Sequence, residues 1–296
     1  MDVDIYPTSL SELKHLIESS STTVLHRFGF QQQMPRIIRV MPGIVLKLGG
    51  SNLREEILCT QYAFDSLDVP IPCVLHPYRE LPFPDAPDSE LVHSLCRSYY
   101  ALEEVPGVSL DKVVDSLSIE AKTSIASQLR AFLDQMRSLT SSTLGSVSGG
   151  PYALLEGVHE SVDLPKRAFS SVAEFKDYFR ALLVKCDHAP PDMIAKTMAT
   201  MPDDSPIHFT HGDLLPKNIM VEVQADGADA RITGIIDWAY AGFYPAFWEQ
   251  AIMLIPDWWS PGWTDILGML FPGDRLPLVE QGCAISYLFH TLEHWL

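Results

Sequence analysis

The chain has 296 residues, of which 47% are hydrophobic, and its formal net charge is −17 with a pI near 4.8. Nucleic acids and anionic membranes bind surfaces rich in Lys and Arg, so this acidity argues against both as partners. The length and the hydrophobic share suffice for a substantial core in one large or two modest domains.

Cysteine usage and the N-terminal sequence bear on the compartment. The five cysteines are scattered, form no CxxC pair and are odd in number. This usage predicts buried thiols in a reducing compartment, and not a disulfide framework or a zinc site. The sequence MDVDIYPTS has no signal-peptide hydrophobic region. Polar residues and a proline interrupt the longest apolar run, at 232–256, so it predicts core and not a membrane span. We therefore expect a soluble, cytoplasmic protein.

The first fifty residues predict one helix and a β-hairpin. Apolar residues at helical spacing predict an amphipathic helix over residues 9–19. Residues 20–35 are rich in Ser, Thr and Gln and are predicted to be irregular. Apolar segments at 37–40 and 44–48 flank a Met-Pro-Gly turn, which predicts a hairpin with Lys47 on its second strand.

Lys47 is a candidate nucleotide-binding residue. A lysine on a strand is usually a solvated surface residue, but a Gly-rich segment and a predicted helix with Glu55 and Glu56 follow this one. In protein kinases a strand Lys neutralises nucleotide phosphate and is held by a helix Glu. On a 3.6-residue period Glu56 shares a face with Cys59 and Ala63, so we expect Glu56 to point inward and to hold Lys47.

The middle of the chain changes from strands to helices. Residues 77–97 are rich in proline and acid and predict a loop or hairpin tip, and residues 98–102 predict a strand. Ser171 and Glu174 have the spacing of a capping box at a helix start. Helices are predicted at 118–139, from 171 to about 186, and from 190 to about 200.

A second hairpin is predicted between residues 207 and 242. Residues 207–210 are β-prone and lead into His211-Gly212-Asp213. Two apolar runs, at 219–221 and 232–236, flank an Asp226-Gly227 turn, which is a strong hairpin signal. We expect this hairpin to bring polar residues at its strand ends close together.

Those polar residues have the composition that phosphoryl transfer needs. Mg²⁺ is held in proteins by carboxylate and amide oxygens together with the phosphates of a nucleotide. In protein kinases an Asp, an Asn five residues later and a further Asp supply the base and the metal ligands. The same spacing here predicts Asp213 as the base, and Asn218 and Asp237 as ligands of Mg²⁺.

Other interpretations of these residues stay open at this point. His208, His211 and Asp213 could be metal ligands of a hydrolase, which would need a further ligand nearby. The hairpin could also be purely structural. A nucleotide-binding pseudokinase or regulatory module, or an enzyme of another ATP-dependent transfer such as nucleotidyl transfer, could use the same residues.

The segments HGDLLPKN (211–218) and IIDWAYAGFYPAFWE (235–249) closely resemble the aminoglycoside phosphotransferase and choline kinase-like family, especially its fungal branch. The resemblance implies a bilobal, protein-kinase-like α+β fold, with a small β-rich N-lobe over 1–104 and a mainly helical C-lobe over 105–296. It implies transfer of the γ-phosphoryl group of Mg·ATP to a hydroxyl of a small molecule, such as a cationic amine, an amino sugar or a secondary metabolite.

The resemblance also implies roles for residues outside the hairpin. The backbone of Glu103, Glu104 and Val105 corresponds to the hinge that binds adenine. The turn at residues 41–43 is the candidate for contacting the phosphates, although it lacks a Gly-rich motif. Glu249 is expected to be buried with a structural partner, and His211 to brace the loop backbone.

Aromatic residues are concentrated near the C-terminus. All six tryptophans lie between residues 238 and 295. Rings at this density could enclose a cationic acceptor. Aromatic residues are more often part of a core, and we expect that role for most of them.

Overall fold

A computed structural model describes residues 5–28, 34–49, 53–82, 98–152, 165, 167–185, 189–224 and 229–293. Its strands are β1 (Thr23–Phe28), β2 (Met34–Met41), β3 (Ile44–Gly49), β4 (Val74–Glu80), β5 (Ser98–Glu103), β6 (Val108–Ser109), β7 (Ile207–Thr210), β8 (Ile219–Val223), β9 (Ala230–Ile235) and β10 (Gly242–Pro245). Its helices are α1 (Leu10–Glu18), α2 (Leu53–Ser66), α3 (Ile119–Ser138), α4 (Val172–Lys185), α5 (Pro191–Ala199), α6 (Trp248–Met253), α7 (Pro261–Leu270) and α8 (Leu276–Glu293).

The N-terminal strands form one five-stranded antiparallel sheet in the order β1-β2-β3-β5-β4. The predicted hairpin of β2 and β3 is present, and β3 lies in the middle of the sheet. Leu46 and Leu48 of β3 pack with Leu13 of α1, which covers one face of the sheet. Lys47, between these two leucines, therefore points to the other face.

The prediction that residues 20–35 are irregular is wrong for β1 and for residues 34–35, which begin β2. This strand is at the edge of the sheet, and two register shifts interrupt its pairing with β2. A bulged edge strand has no regular alternation of apolar and polar residues, so its sequence pattern does not reveal it. Likewise, residues 77–80, predicted as part of a loop or hairpin tip, belong to β4, which pairs antiparallel with β5, whereas residues 83–97 lie outside the described part.

Beyond the sheet the structure is mainly helical, as predicted. The helix predicted over 118–139 is α3, and the Ser118 hydroxyl caps it by accepting a hydrogen bond from the Ala121 N–H at 3.1 Å. One half of the predicted capping box of α4 is present, because the Glu174 N–H donates to the Ser171 hydroxyl at 3.1 Å, whereas the Glu174 carboxylate accepts from the Ser170 N–H at 2.7 Å and not from that of Ser171. The third predicted helix is α5.

The second predicted hairpin is formed by β8 and β9, and β6 extends it to three strands. Its turn, Asp226-Gly227, lies outside the described residues. Strand β7, which precedes it in the chain, pairs instead with β10. The loop from β7 to β8 and the end of β9 are thus held by strand pairing on both sides.

Most of the described tryptophans belong to the core. Trp238, Trp248 and Trp263 are fully buried, whereas Trp258 and Trp259 are 46% and 44% exposed. Trp295 lies outside the described residues. Within the described part of the chain, no helix combines the length and the apolar character that a membrane crossing requires.

Candidate active site

Lys47 lies at the centre of an ion cluster in which the side chains of Lys47 and Glu56 are buried and that of Asp237 is partly exposed. Its ammonium contacts Glu56 Oε1 and lies 2.7 Å from Asp237 Oδ1. Burial alone would lower the pKa of Lys47, but the two carboxylates outweigh it and raise that pKa. The ammonium therefore stays charged, and it joins the N-terminal sheet to the end of β9.

The structure brings Glu56, and not Glu55, to Lys47. Helix α2 directs Glu56 toward the sheet, where the Tyr100 hydroxyl donates to Glu56 Oε1 at 2.7 Å. Glu55 points elsewhere, and its carboxylate accepts hydrogen bonds from the hydroxyls of Ser146 and Ser148. Two neighbouring acids on one helix thus have different partners because they lie on different faces.

The loop between β7 and β8 positions Asp213 and Asn218 against each other. The Asn218 amide donates to Asp213 Oδ2 at 2.8 Å and to the Asp213 carbonyl at 2.8 Å. Lys217 Nζ lies 2.9 Å from the same Oδ2. Burial raises the pKa of Asp213, and the neighbouring Lys217 acts in the opposite direction. The Asp213 carboxylate is therefore a partly desolvated hydrogen-bond acceptor that its neighbours hold in position.

Gly212 permits the tight turn before Asp213. Its φ is +79°, in the left-handed region that residues with a Cβ rarely adopt. A Cβ at this position would also lie 2.4 Å from the Tyr240 carbonyl oxygen. The loop can therefore pass this close to the segment after β9 only with glycine.

Two buried side chains hold the loop backbone. His211 accepts a hydrogen bond from the Asp213 N–H at Nδ1 (3.2 Å), and its Nε2 is 3.1 Å from the Ile236 carbonyl oxygen. Burial lowers the pKa of His211 to about 4, so the ring is neutral and Nε2 is the donor. Glu249 accepts from the His211 N–H and from the Gly212 N–H (3.2 Å). Both residues have the bracing geometry expected of them.

Asp237 follows β9 in the left-handed backbone region, which residues other than glycine seldom adopt and which Asp and Asn tolerate best. With φ 65° and ψ 62°, it is the one described non-glycine residue at positive φ. Burial opposes its ionisation, but the Lys47 ammonium outweighs this effect and lowers the pKa of Asp237 to about 2. The Ile236 N–H donates to the Asn218 carbonyl at 3.0 Å, so Asn218 and Asp237 lie side by side across the hairpin.

Among the described residues, the N–H of Val105 in the predicted hinge has no hydrogen-bond acceptor. The Glu103 N–H donates to the Cys73 carbonyl and the Glu104 N–H to the Gly43 carbonyl, both at 2.9 Å. The Glu104 carboxylate pairs with Arg39 Nε at 2.8 Å. None of the described residues accepts a hydrogen bond from the N–H of Val105.

The turn at residues 41–43 lies beside this predicted hinge. The Gly43 carbonyl accepts a hydrogen bond from the Glu104 N–H, and the Gly43 N–H donates to the Glu104 carboxylate at 3.4 Å. Contact of this turn with the phosphates stays a prediction.

Sequence reasoning missed His26, because it treated residues 20–35 as irregular. His26 pairs with Ile37, which pairs with Lys47, so the three residues form one row across the sheet. Burial and the nearby Arg36 lower the pKa of His26, while Asp237 acts in the opposite direction.

A cavity of about 370 Å³ opens beside Asp213. Gly212, Asp213 and Leu215 of the loop form one wall. A second wall is formed by the segment after β9, by helix α6 and by the turn after α6. Helix α8 forms the third wall. A molecule in this cavity would lie directly against the carboxylate predicted to be the base.

No metal-binding cluster is present among the described residues, in the sense of three or more His, Cys, Asp or Glu side chains close enough to share an ion. Both ring nitrogens of His211 are engaged with the backbone. The hydrolase alternative, which needs His208, His211 and Asp213 as ligands, therefore has no support in this part of the chain.

The sequence profile described as the phosphotransferase enzyme family matches residues 63–273. The match includes the hinge, Asp213, Asn218 and Asp237, and it begins after Lys47 and Glu56. No curated protein gives a significant sequence match.

Several solved structures are similar to this chain. The GDP and kanamycin complex of APH(2″)-IIia has a TM-score of 0.60 and 17% identity, covering 94% of this chain and 89% of that chain. ADP-bound aminoglycoside phosphotransferase APH(2″)-Ib has a TM-score of 0.56 and 13% identity, covering 99% and 90%. A thermostable mutant of aminoglycoside phosphotransferase APH(4)-Ia with ADP and hygromycin B has a TM-score of 0.53 and 17% identity, covering 95% and 97%. These similarities confirm the predicted α+β, protein-kinase-like fold.

Proposed function

Because the chain belongs to the phosphotransferase enzyme family, we propose that it transfers the γ-phosphoryl group of Mg·ATP to a hydroxyl of a small molecule. One observation carries this proposal. The Lys47–Glu56–Asp237 cluster and the Asp213–Asn218 pair adjoin each other, joined by the hydrogen bond from the Ile236 N–H to the Asn218 carbonyl. The candidate phosphate-binding cation and the candidate base are thus neighbours, which supports their use in one site.

The nucleotide would bind between the sheet and the hairpin. Lys47, held by Glu56, would contact phosphate oxygens, which is the role that this ion pair has in kinases. The N–H of Val105 has no acceptor in the part of the chain that the structure describes, which supports adenine binding through the backbone of Glu103, Glu104 and Val105. Since the side chain of Glu104 is occupied by Arg39, only its backbone could contribute. We also propose the division into an N-lobe (1–104) and a C-lobe (105–296) at this hinge.

Asn218 and Asp237 fit a Mg²⁺ ion in their chemistry. Asp237 is ionised because its pKa is lowered to about 2, and Asn218 donates with its amide nitrogen, so its oxygen is the atom left for a cation. Both are hard oxygen ligands of the kind Mg²⁺ prefers. When bound, the ion would neutralise charge on the triphosphate. Lys47 would share that task from the sheet.

Asp213 would act as the general base. It would accept the hydroxyl proton as the acceptor oxygen forms its bond to the γ-phosphorus and the bond to the β–γ bridging oxygen breaks. The products are a phosphomonoester, ADP and a proton. Because the loop is braced by His211 and Glu249, the carboxylate keeps its position without reorganising, which favours the transition state.

The test is ³¹P NMR of the protein with Mg·ATP and candidate alcohols, alongside a thermal-shift titration with Mg·ATP. We expect ADP and a phosphomonoester, and an Asp213→Asn rate about 10² to 10⁴ lower with the Mg·ATP stabilisation retained. Lys47→Ala and Asp237→Ala should each lose that stabilisation. No stabilisation of the wild type would contradict the proposal, and AMP with pyrophosphate would indicate nucleotidyl transfer.

We further propose a cytoplasmic location. The cysteines in the described part, Cys59, Cys73 and Cys283, are all free, which supports a reducing compartment.

A further inference from the structure

The cavity beside Asp213 has walls that are mostly rings and aliphatic side chains. Its aromatic residues are Tyr240, Tyr244, Trp248, Trp258 and Phe289. The Tyr244 hydroxyl donates to the Tyr240 carbonyl at 3.0 Å, so this polar group is already satisfied within the protein. Such walls offer a bound molecule mainly apolar contact, and the polar side chains that line the cavity are those of Asp213, Asp257, Ser286 and His290, besides the tyrosine hydroxyls.

The carboxylates of the cavity are few among the described residues. Asp213 is already paired with Lys217 at 2.9 Å and with Asn218 at 2.8 Å. The other one is Asp257, which is exposed at the rim and accepts from the Ser286 hydroxyl at 3.3 Å. One carboxylate that lacks a cationic partner can compensate one ammonium group of a ligand.

A cation of the protein is also close to the cavity. Lys217 Nζ lies 4.8 Å from the centre of the Trp258 ring, a cation–π contact. Trp258 and Tyr240 nevertheless keep 46% and 41% of their surface exposed. Exposed rings beside a candidate base favour a ligand that covers them with apolar surface. Because Lys217 pairs with Asp213, this carboxylate is not left to compensate the positive charge of a ligand.

We propose that the acceptor is an alcohol with a compact apolar body and at most one ammonium group, and is not a polycationic amino sugar. This inference rests on the proposed function, since it names the acceptor of the same site. The affinity for a ligand falls several-fold or more for each ammonium group that leaves water without an anionic partner. The described cavity residues supply such a partner for one ammonium group. A volume of about 370 Å³ is at the small end of ligand pockets and suits one ring system.

Calorimetric titration of the full chain tests the inference without relying on catalysis. The probes are cinnamyl alcohol (an uncharged aromatic alcohol), phenylalaninol (an aromatic alcohol with one ammonium), choline (one cation without a ring) and kanamycin (several ammonium groups). We expect phenylalaninol to bind best, cinnamyl alcohol next, and choline and kanamycin at least about tenfold more weakly than phenylalaninol.

Variants connect the binding to named side chains. Trp258→Ala should weaken binding of both aromatic probes about tenfold or more, because an aromatic contact is lost. Trp259→Ala is the matched control, since Trp259 is adjacent and 44% exposed but is not among the described residues that line the cavity. Asp257→Asn should reduce the preference for phenylalaninol over cinnamyl alcohol about threefold to tenfold.

Three results would overturn the inference. They are tighter binding of kanamycin than of phenylalaninol, equal effects of Trp258→Ala and Trp259→Ala, and failure of both aromatic probes to bind at about 1 mM. The Mg·ATP thermal shift is measured on the same samples. If that shift is present, any of these results leaves the proposed function standing, and if it is absent, the proposed function fails independently of acceptor binding.

Discussion

Glu249 should make the stability of the protein fall as pH rises through the neutral range. The residue is 7% exposed, its Oε1 is buried without a hydrogen-bond partner among the described residues, and burial raises its pKa to about 7 from an ordinary 4.5. Between these two values the folded state binds more protons than the unfolded state, so the free energy of unfolding decreases with rising pH. The stabilisation is complete below about pH 4.5 and lost above about pH 7.

The size of this effect follows from the difference between the two pKa values. At about 1.36 kcal/mol per pKa unit, that difference corresponds to a decrease of roughly 3 kcal/mol in the free energy of unfolding. Roughly 2 to 3 kcal/mol of this decrease falls between about pH 5 and pH 8. Glu249→Gln cannot ionise, yet it keeps an oxygen to accept from the N–H groups of His211 and Gly212. The variant should therefore lose less stability than the wild type over this interval, by about that amount.

Urea unfolding of both proteins at about pH 5 and pH 8 measures the effect as a double difference, which cancels the other titrating groups. Glu222→Gln removes the same charge from an exposed strand residue and controls for the change in net charge. If Glu249→Gln and the wild type lose the same amount of stability between the two pH values, the assignment of a buried, destabilised carboxylate at this position is refuted.

The remaining predictions concern two other parts of the site. Gly212→Ala should destabilise the protein by about 1 to 3 kcal/mol more than Gly43→Ala in urea unfolding. Both glycines have positive φ, but only at Gly212 would a Cβ meet a neighbouring atom, the Tyr240 carbonyl oxygen at 2.4 Å; equal losses would contradict this clash. Lys47→Met should destabilise by about 3 to 5 kcal/mol, because it leaves Glu56 buried without a cation. Adding Glu56→Gln should restore much of that stability but not the Mg·ATP thermal shift, and recovery of the shift would exclude Lys47 as a phosphate contact.

The sequence alone determined the local elements and the spacing of the polar residues. Strong periodicity predicted α1 and α3, and the two apolar runs predicted β8 and β9, because packing against a core imposes these periods. Asn218 follows Asp213 by five residues, and Asp237 lies at the end of a predicted strand. This spacing indicated that the three side chains lie close together, because a hairpin necessarily brings its strand ends together. The helical period likewise selected Glu56 over Glu55.

Tertiary structure decided what depends on pairing between distant segments. The bulged edge strand β1 exists because it pairs with β2, and so the row from His26 to Lys47 could not be inferred from a segment without periodicity. The turn at residues 41–43 is fixed at the hinge by Glu104, which is far away in sequence. Backbone conformation, such as the positive φ of Asp237, also follows from neighbours that the sequence does not name.

The cavity is the feature furthest from the sequence. Its walls come from the loop after β7, the segment after β9, helix α6 and helix α8, whose mutual placement is set by helix packing. The sequence showed that aromatic residues are abundant near the C-terminus, but not which of them are core. Burial of Trp248 and exposure of Trp258 depend on how α6 packs against α8, because a side chain's exposure is decided by its neighbours and not by its residue type.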